Sequence, residues 1–246
     1  MKKLKELNQE NIIFFDIETV RSEKVLTEES KCYEAWVYKM RNNPEELTLE
    51  ASFEDKAALL APFANIVCIT IGKILTNFDE DGIKSEQIKL HTIYGSDEKK
   101  LLTDFNNLIT KLYDKNSKLV YCGFNSNHFD VPMITKRMVI NDIVYHQSFD
   151  KFGLKPWELP DIDLADAWKG NSYSQDSLIS ICQAIGIESP KDDISGKDVG
   201  TVFYGEDQNR FLRIAKYCEK DVVATINVFK KFRFEEKIVD IVSNLK

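Results

Sequence analysis

Ile12-Ile13-Phe14-Phe15-Asp16-Ile17-Glu18 is β-branched and aromatic, and apolar on both alternating faces until it reaches its carboxylates. That pattern predicts a central strand buried on both sides. Two further runs, Ile66 to Gly72 and Ile88 to Tyr94, are strand-like, and the polar turn Asn77 to Gly82 between them predicts a hairpin. The three strands therefore form an antiparallel meander. Leu101, Leu102, Phe105, Leu108, Ile109, Leu112 and Tyr113 then recur at helical spacing behind a Ser96 or Asp97 N-cap. Leu119 to Phe124 returns to a strand, and Val131 to Ile140 is helical with Pro132 in its first turn. Leu178, Ile181, Cys182 and Ile185 mark a helix closed by Gly186, and a last helix starts near Asp207. Three strands followed by alternating helices and strands define an α/β fold, a mixed sheet flanked by helices.

The 246 residues are 43% hydrophobic and 30% charged, enough to bury one substantial core without disulfides. Disorder, collagen and small disulfide scaffolds are excluded. With 10 glycines and 6 prolines, none clustered as a linker, one domain spanning 1–246 is expected. The charged stretch Arg21 to Ala61, helical around Tyr33 to Arg41, is expected to be an insertion on it. No apolar run approaches the ~18 residues of a membrane span, and the chain start meets charge before a signal-peptide core could develop. A soluble, cytoplasmic protein is the expectation.

Cys32, Cys68, Cys122, Cys182 and Cys218 form no CxxC pair and the chain has 3 histidines, which argues against structural zinc and a disulfide framework. The 33 Lys and Arg against 40 Asp and Glu leave a formal charge of −7, unusual for a partner of polyanions. Residues 207–246 reverse the balance, with nine basic against six acidic side chains. A compact acidic site filled with divalent cations reconciles net acidity with a phosphate substrate.

Asp16 and Glu18, two apart on a strand, leave the same face. Alone, such a pair is also what a strand end turning toward solvent looks like, and Asp130 alone reads as a helix N-cap. Asp221 is different. It lies on the stripe Ile214, Tyr217, Asp221, Ala224, Val228 of the last helix, where an unpaired carboxylate is costly, so a remote cation or a metal should face it. Carboxylates converging from strands and a helix are the donor set of hard divalent cations. Two such ions support in-line phosphodiester hydrolysis. Tyr217, one turn before Asp221, either holds the attacking water or is an ordinary core tyrosine.

Phe15-Asp16-Ile17-Glu18-Thr19, then Gly123-Phe124-Asn125-Ser126-Asn127-His128-Phe129-Asp130, then Tyr217-Cys218-Glu219-Lys220-Asp221 resemble the three exonuclease motifs of the family-B DNA polymerase proofreading domain. The motifs DIET, NxxxFD and YxxxD stand in the family's order, and the resemblance spans nearly the whole chain. With no polymerase domain in these 246 residues, the chain is similar to the stand-alone predicted 3′-5′ exonucleases of that group. The resemblance implies a ribonuclease H-like architecture, in agreement with the meander-then-α/β pattern. It also implies that Asp16, Glu18, Asp130 and Asp221 hold two Mg²⁺ or Mn²⁺ ions and that Tyr217 positions the nucleophilic water. The position a histidine subclass uses is Lys216, so the tyrosine (DEDDy) subclass fits. By the resemblance Asn125 and Phe129 match positions near the terminal nucleotides and Thr19, a further substrate-binding candidate, lies beside the metal ligands, although Asn125 is also a turn residue and Phe129 a core residue. Segment 189–197 resembles a loop of the stand-alone group and reads equally as a solvated loop. His128 reads as a surface or loop histidine, because oxygen-rich Mg²⁺ sites seldom recruit imidazole.

The implied activity is metal-dependent 3′-5′ hydrolysis of single-stranded nucleic acid, DNA over RNA on resemblance alone. The alternatives are an RNA-trimming, ribonuclease-D-like enzyme, a silent nucleic-acid-binding module of the same fold, and a structural Ca²⁺ site.

Overall fold

The computed structural model describes residues 4–42, 47–190 and 193–245. Lys191 and Asp192 of the 189–197 segment, and residues 43–46 of the 21–61 stretch, lie outside the described residues. A six-stranded sheet forms the centre, built from β1 (Ile12–Arg21), β2 (Ala64–Phe78), β3 (Lys84–Tyr94), β4 (Val120–Gly123), β5 (Ile162–Asp163) and β6 (Ile241–Val242). Its spatial order is β5-β4-β1-β2-β3-β6. β1, β2 and β3 pair antiparallel, whereas β4, β5 and β6 join in parallel. The meander and the mixed sheet are as the sequence pattern predicts. β5 and β6 are two residues each, too short for any periodicity to reveal.

Strand parity sets the layers. Ile13, Phe15 and Ile17 face one side, packed with Leu101, Leu102, Phe105 and Ile109 of α3 (Glu98–Lys115) and Val131, Ile134 and Met138 of α4 (Asp130–Ile140). Ile12 and Phe14 face the other side, against Val222, Ile226 and Phe229 of α8 (Arg210–Phe232) and Ile181 of α6 (Leu178–Ile185). By the same parity Asp16 and Glu18 point toward α8, at the place where the apolar sequence gives out.

Helix ends follow their caps. Asp97 caps α3 by accepting from the Lys100 N–H at 3.0 Å, and Gly186 ends α6 in the left-handed region at φ 72°. α8 begins at Arg210, three residues later than the sequence suggests. Asp207 does not cap it, because its carboxylate accepts from Asn209 N–H in the preceding turn and pairs with Arg213. α4 is fixed by a buried pair: Arg137 is bonded to both carboxylate oxygens of Glu98, and also donates to the Ala61 carbonyl and to Asn65 Oδ1. Glu98 in turn accepts from Ile66 N–H at 2.7 Å, so α3, α4 and the start of β2 form one unit.

The 21–61 stretch carries α1 (Tyr33–Met40) and a second helix that periodicity had not revealed, α2 (Leu49–Lys56). Trp36, Phe53, Ala57 and Phe63 make a satellite core there, with Trp36 edge-on to both phenylalanine rings and its indole N–H given to Ser52 Oγ. The remaining helices, α5 (Leu164–Lys169) and α7 (Val199–Phe203), are short.

Candidate active site

The irregularity that aims the first two carboxylates lies in β1 itself. Its register against β2 shifts between Glu18, opposite Cys68, and Thr19, opposite Ile66. Val67, skipped in the pairing, and Cys68 both turn toward α8 and pack with Val20, Ile214 and Cys218. Asp16 is half-buried and Glu18 buried, in the cleft between β1 and α8.

Asp130 arrives from the opposite layer. Pairing of β1 with β4 stops at Phe14↔Cys122, and Asp130 Oδ1 accepts from the Ile17 N–H at 3.1 Å. Asp130 is the first residue of α4 rather than its cap, and its side chain, 4% exposed, completes the edge of β1 that β4 leaves open. The Asn125 to Phe129 turn between β4 and α4 makes this reach possible. Asn125 takes φ 61°, and its N–H and that of Asn127 are both given to the buried carboxylate of Asp163, at 2.8 and 2.9 Å. Asp163 also accepts from Ala165 N–H at 3.0 Å, capping α5. Sequence reading missed Asp163 because β5 is too short to show. A side chain at Gly123 would put its Cβ 2.5 Å from that of Ser126, so the turn packs back on the strand end only with glycine there.

α8 supplies the fourth side. Tyr217 and Asp221 are one helical turn apart, both half-buried, and the aspartate's charge bears on the tyrosine hydroxyl. Burial holds the carboxyls of Asp16 and Glu18 well above the usual range, and the neighbouring charges add to it: Asp130 and Asp221 on Asp16, Asp16 and Asp221 on Glu18. Asp130 is pushed up to about 7 by burial, tempered by the N–H donors of Ile17 and of its own backbone. The Tyr217 hydroxyl is shifted upward by burial and then by Asp221 and Glu18, which keeps it protonated. Carboxylates that raise one another in this way are an oxygen donor set whose chemistry fits a hard divalent cation such as Mg²⁺ or Mn²⁺.

A thiol sits beside them. Cys218 Sγ contacts Asp16 O at 3.4 Å and Oδ2 at 3.5 Å, and Asp16, Glu18 and Cys218 offer donor atoms within 4.8 Å of one another. Burial pushes this thiol well up, so it serves as a proton donor to Asp16 rather than as a ligand. The sequence could have shown this, since Cys218 follows Tyr217 on the buried side of α8.

The remaining candidates are more peripheral. Thr19 Oγ1 donates to the Ala58 carbonyl at 2.8 Å, which holds the turn after α2 against β1 beside Glu18. Asn125 Oδ1 accepts from Gln175 Nε2 at 3.2 Å. Phe129 is half-buried against the α3–α4 core, and His128 is exposed and paired with Asp166 at 3.0 Å.

A mixed sheet ordered in this way, with carboxylates from β1, α4 and α8 facing one cleft, defines a ribonuclease H-like fold of the polymerase-exonuclease type. The family B DNA polymerase from the hyperthermophilic archaeon Pyrobaculum calidifontis has this fold, with TM-score 0.51 over 89% of the chain at 15% sequence identity. The chain spans 24% of that polymerase. Residues 59–242 match the family described as "Predicted 3'-5' exonuclease related to the exonuclease domain of PolB", and the chain belongs to that family. Asp130, Tyr217 and Asp221 fall inside the matched residues, and Asp16 and Glu18 precede them. None of the curated proteins matches the chain.

Proposed function

We propose that this chain hydrolyses the terminal phosphodiester at the 3′ end of single-stranded nucleic acid, DNA in preference to RNA, and releases 5′-mononucleotides. The observation that carries the reading is the joint upward shift of Asp16, Glu18 and Asp130, gathered around Asp221 beside a protonated Tyr217. Asp16, Glu18, Asp130 and Asp221 would hold two Mg²⁺ or Mn²⁺ ions. Cations bound there supply Lewis-acid stabilisation of the phosphoryl oxygens and lower the pKa of water.

The protein's own part is positional. Tyr217 holds the attacking water on the α8 side of the cleft, and the upward shift of its hydroxyl keeps it a hydrogen-bond donor. Asp130, anchored on Ile17 N–H, keeps α4 from drifting away from β1. Asn125 and Phe129 border the terminal nucleotide, and Thr19 holds the Ala58 turn that forms the neighbouring rim. The helices of 21–61 are an insertion on this one exonuclease domain. A cytoplasmic setting is in keeping with five cysteines that stand as free thiols, as a reducing compartment leaves them.

End-labelled DNA and RNA oligonucleotides, incubated with Mg²⁺, Mn²⁺ or EDTA, test the reading. 5′-labelled DNA should give a descending ladder and 3′-labelled DNA an early mononucleotide, both stopped by EDTA. Release of the 5′ label first, or cutting of circular single strands, overturns the polarity. Faster RNA cleavage favours the RNA-trimming alternative, and binding without cleavage favours the silent module.

A further inference from the structure

The segment Asp193–Asp198 straps together the two elements that carry the site. At its start Asp193 takes a two-pronged bond from Arg213, one helical turn before Tyr217 on α8, at 2.8 and 3.0 Å. Ile194 is buried with Val20, Ile214 and Cys218, and Tyr217 packs against the same cluster. Asp198 Oδ2 accepts from both the N–H and the hydroxyl of Ser195, at 2.9 and 2.6 Å. At its far end the strap passes into α7, whose next residue Tyr204 donates its hydroxyl to the Arg21 carbonyl of β1 at 2.6 Å. The strap is thus pinned on α8, in the core and on β1, and its tip is Gly196.

Gly196 has no backbone need to be glycine, because its φ lies outside the left-handed range that other residues avoid. Space is what distinguishes the position. A Cβ built there meets one described atom within 4 Å, the hydroxyl oxygen of Tyr217 at 3.9 Å. The bare backbone of residue 196 therefore fronts the hydroxyl assigned above to the attacking water, with no other described atom within 4 Å of that Cβ.

Resting on that reading of the site, we infer that Gly196 is a specificity-determining residue. The strap is the wall of the terminal-nucleotide subsite opposite the carboxylates, and the missing side chain leaves the room in which the 3′-terminal nucleotide reaches Tyr217.

Gly196→Ala, Gly196→Val and each of them combined with Tyr217→Phe test this through steady-state hydrolysis of a fluorescent single-stranded oligonucleotide, alongside thermal melts with and without Mg²⁺. Gly196→Val should lower kcat/KM about tenfold or more and Gly196→Ala about threefold, in proportion to the space filled. The melting temperature and its rise with Mg²⁺ should stay at the unmutated values. In the Tyr217→Phe background the penalty should shrink severalfold, because the obstructed hydroxyl is already gone. If Gly196→Val does not fold, Gly196→Ala carries the same comparison. Variants within about twofold of the unmutated enzyme overturn the inference. A loss that multiplies independently with Tyr217→Phe, or that tracks a lowered melting temperature, overturns it as well. An unmutated protein inactive on every oligonucleotide overturns the proposed function instead.

Discussion

Asp130 Oδ1 accepts from the Ile17 N–H at 3.1 Å, so the first residue of α4 is tied to β1 between Asp16 and Glu18. One hydrogen bond joins the two sides of the sheet at the point where charge collects. It stabilises the ionised form of Asp130, while burial opposes it, and the balance leaves the group near 7.

That balance fixes the pH dependence of the metal-free protein. A carboxyl held near 7 when folded and near 3.8 otherwise binds more protons in the native state between those values. Its contribution to stability is complete below the lower value and is lost as pH rises through about 7. Asp16 and Glu18, also shifted upward, act in the same direction. Thermal melts in EDTA should therefore fall in midpoint from pH 5 to pH 8, and the Mg²⁺-induced rise should be largest at pH 8, where the ligands are ionised. A metal-free midpoint that rises over this range contradicts the charge assignment.

Removing one charge should relieve the repulsion among these carboxylates in the metal-free protein. Asp221→Asn keeps the volume and takes away a charge that weighs on both Asp16 and Glu18. The EDTA form should gain about 1 kcal/mol while hydrolysis disappears and the Mg²⁺ response shrinks. A lower midpoint in EDTA with an unchanged Mg²⁺ response means that a protein cation, not a metal, answers Asp221.

Tyr217 and Asp221 share one helix face but not one weight. Tyr217→Phe removes a hydroxyl and keeps the ring's packing, so kcat should fall ~10²-fold, while Asp221→Ala costs considerably more. Single-turnover rates on one oligonucleotide separate them. A fully active Tyr217→Phe returns the ring to a packing role.

Asp163 should behave as a structural residue with a catalytic consequence. Asp163→Ala strands the N–H groups of Asn125, Asn127 and Ala165, and each buried orphan costs about 1–3 kcal/mol where water cannot replace the lost partner. Urea unfolding should show a loss of about 2 kcal/mol or more, with hydrolysis reduced through a displaced Asp130. Unchanged stability means that water satisfies the turn.

Periodicity alone determined the meander, the α3 stripe and the face of α8 that carries Tyr217 and Asp221, because each long element repeats its apolar side chains often enough to fix which way it faces. The same rule put Asp16 and Glu18 together on one side of β1. What the sequence could not hold is whatever depends on contacts between distant residues. The two-residue strands β5 and β6 exist only as partners of β4 and β3, and Asp163 is visible as the organiser of the Asn125 turn only once β5 lies beside it. Asp130 taken singly reads as a helix cap, and only the early end of the β4 pairing gives its carboxylate a backbone donor 113 positions away. Gly196, ordinary in its φ and in its loop, became significant when folding put the Tyr217 hydroxyl in front of it. Local pattern sets the orientation of a side chain within its own element, and only the packing of elements against one another sets what it meets.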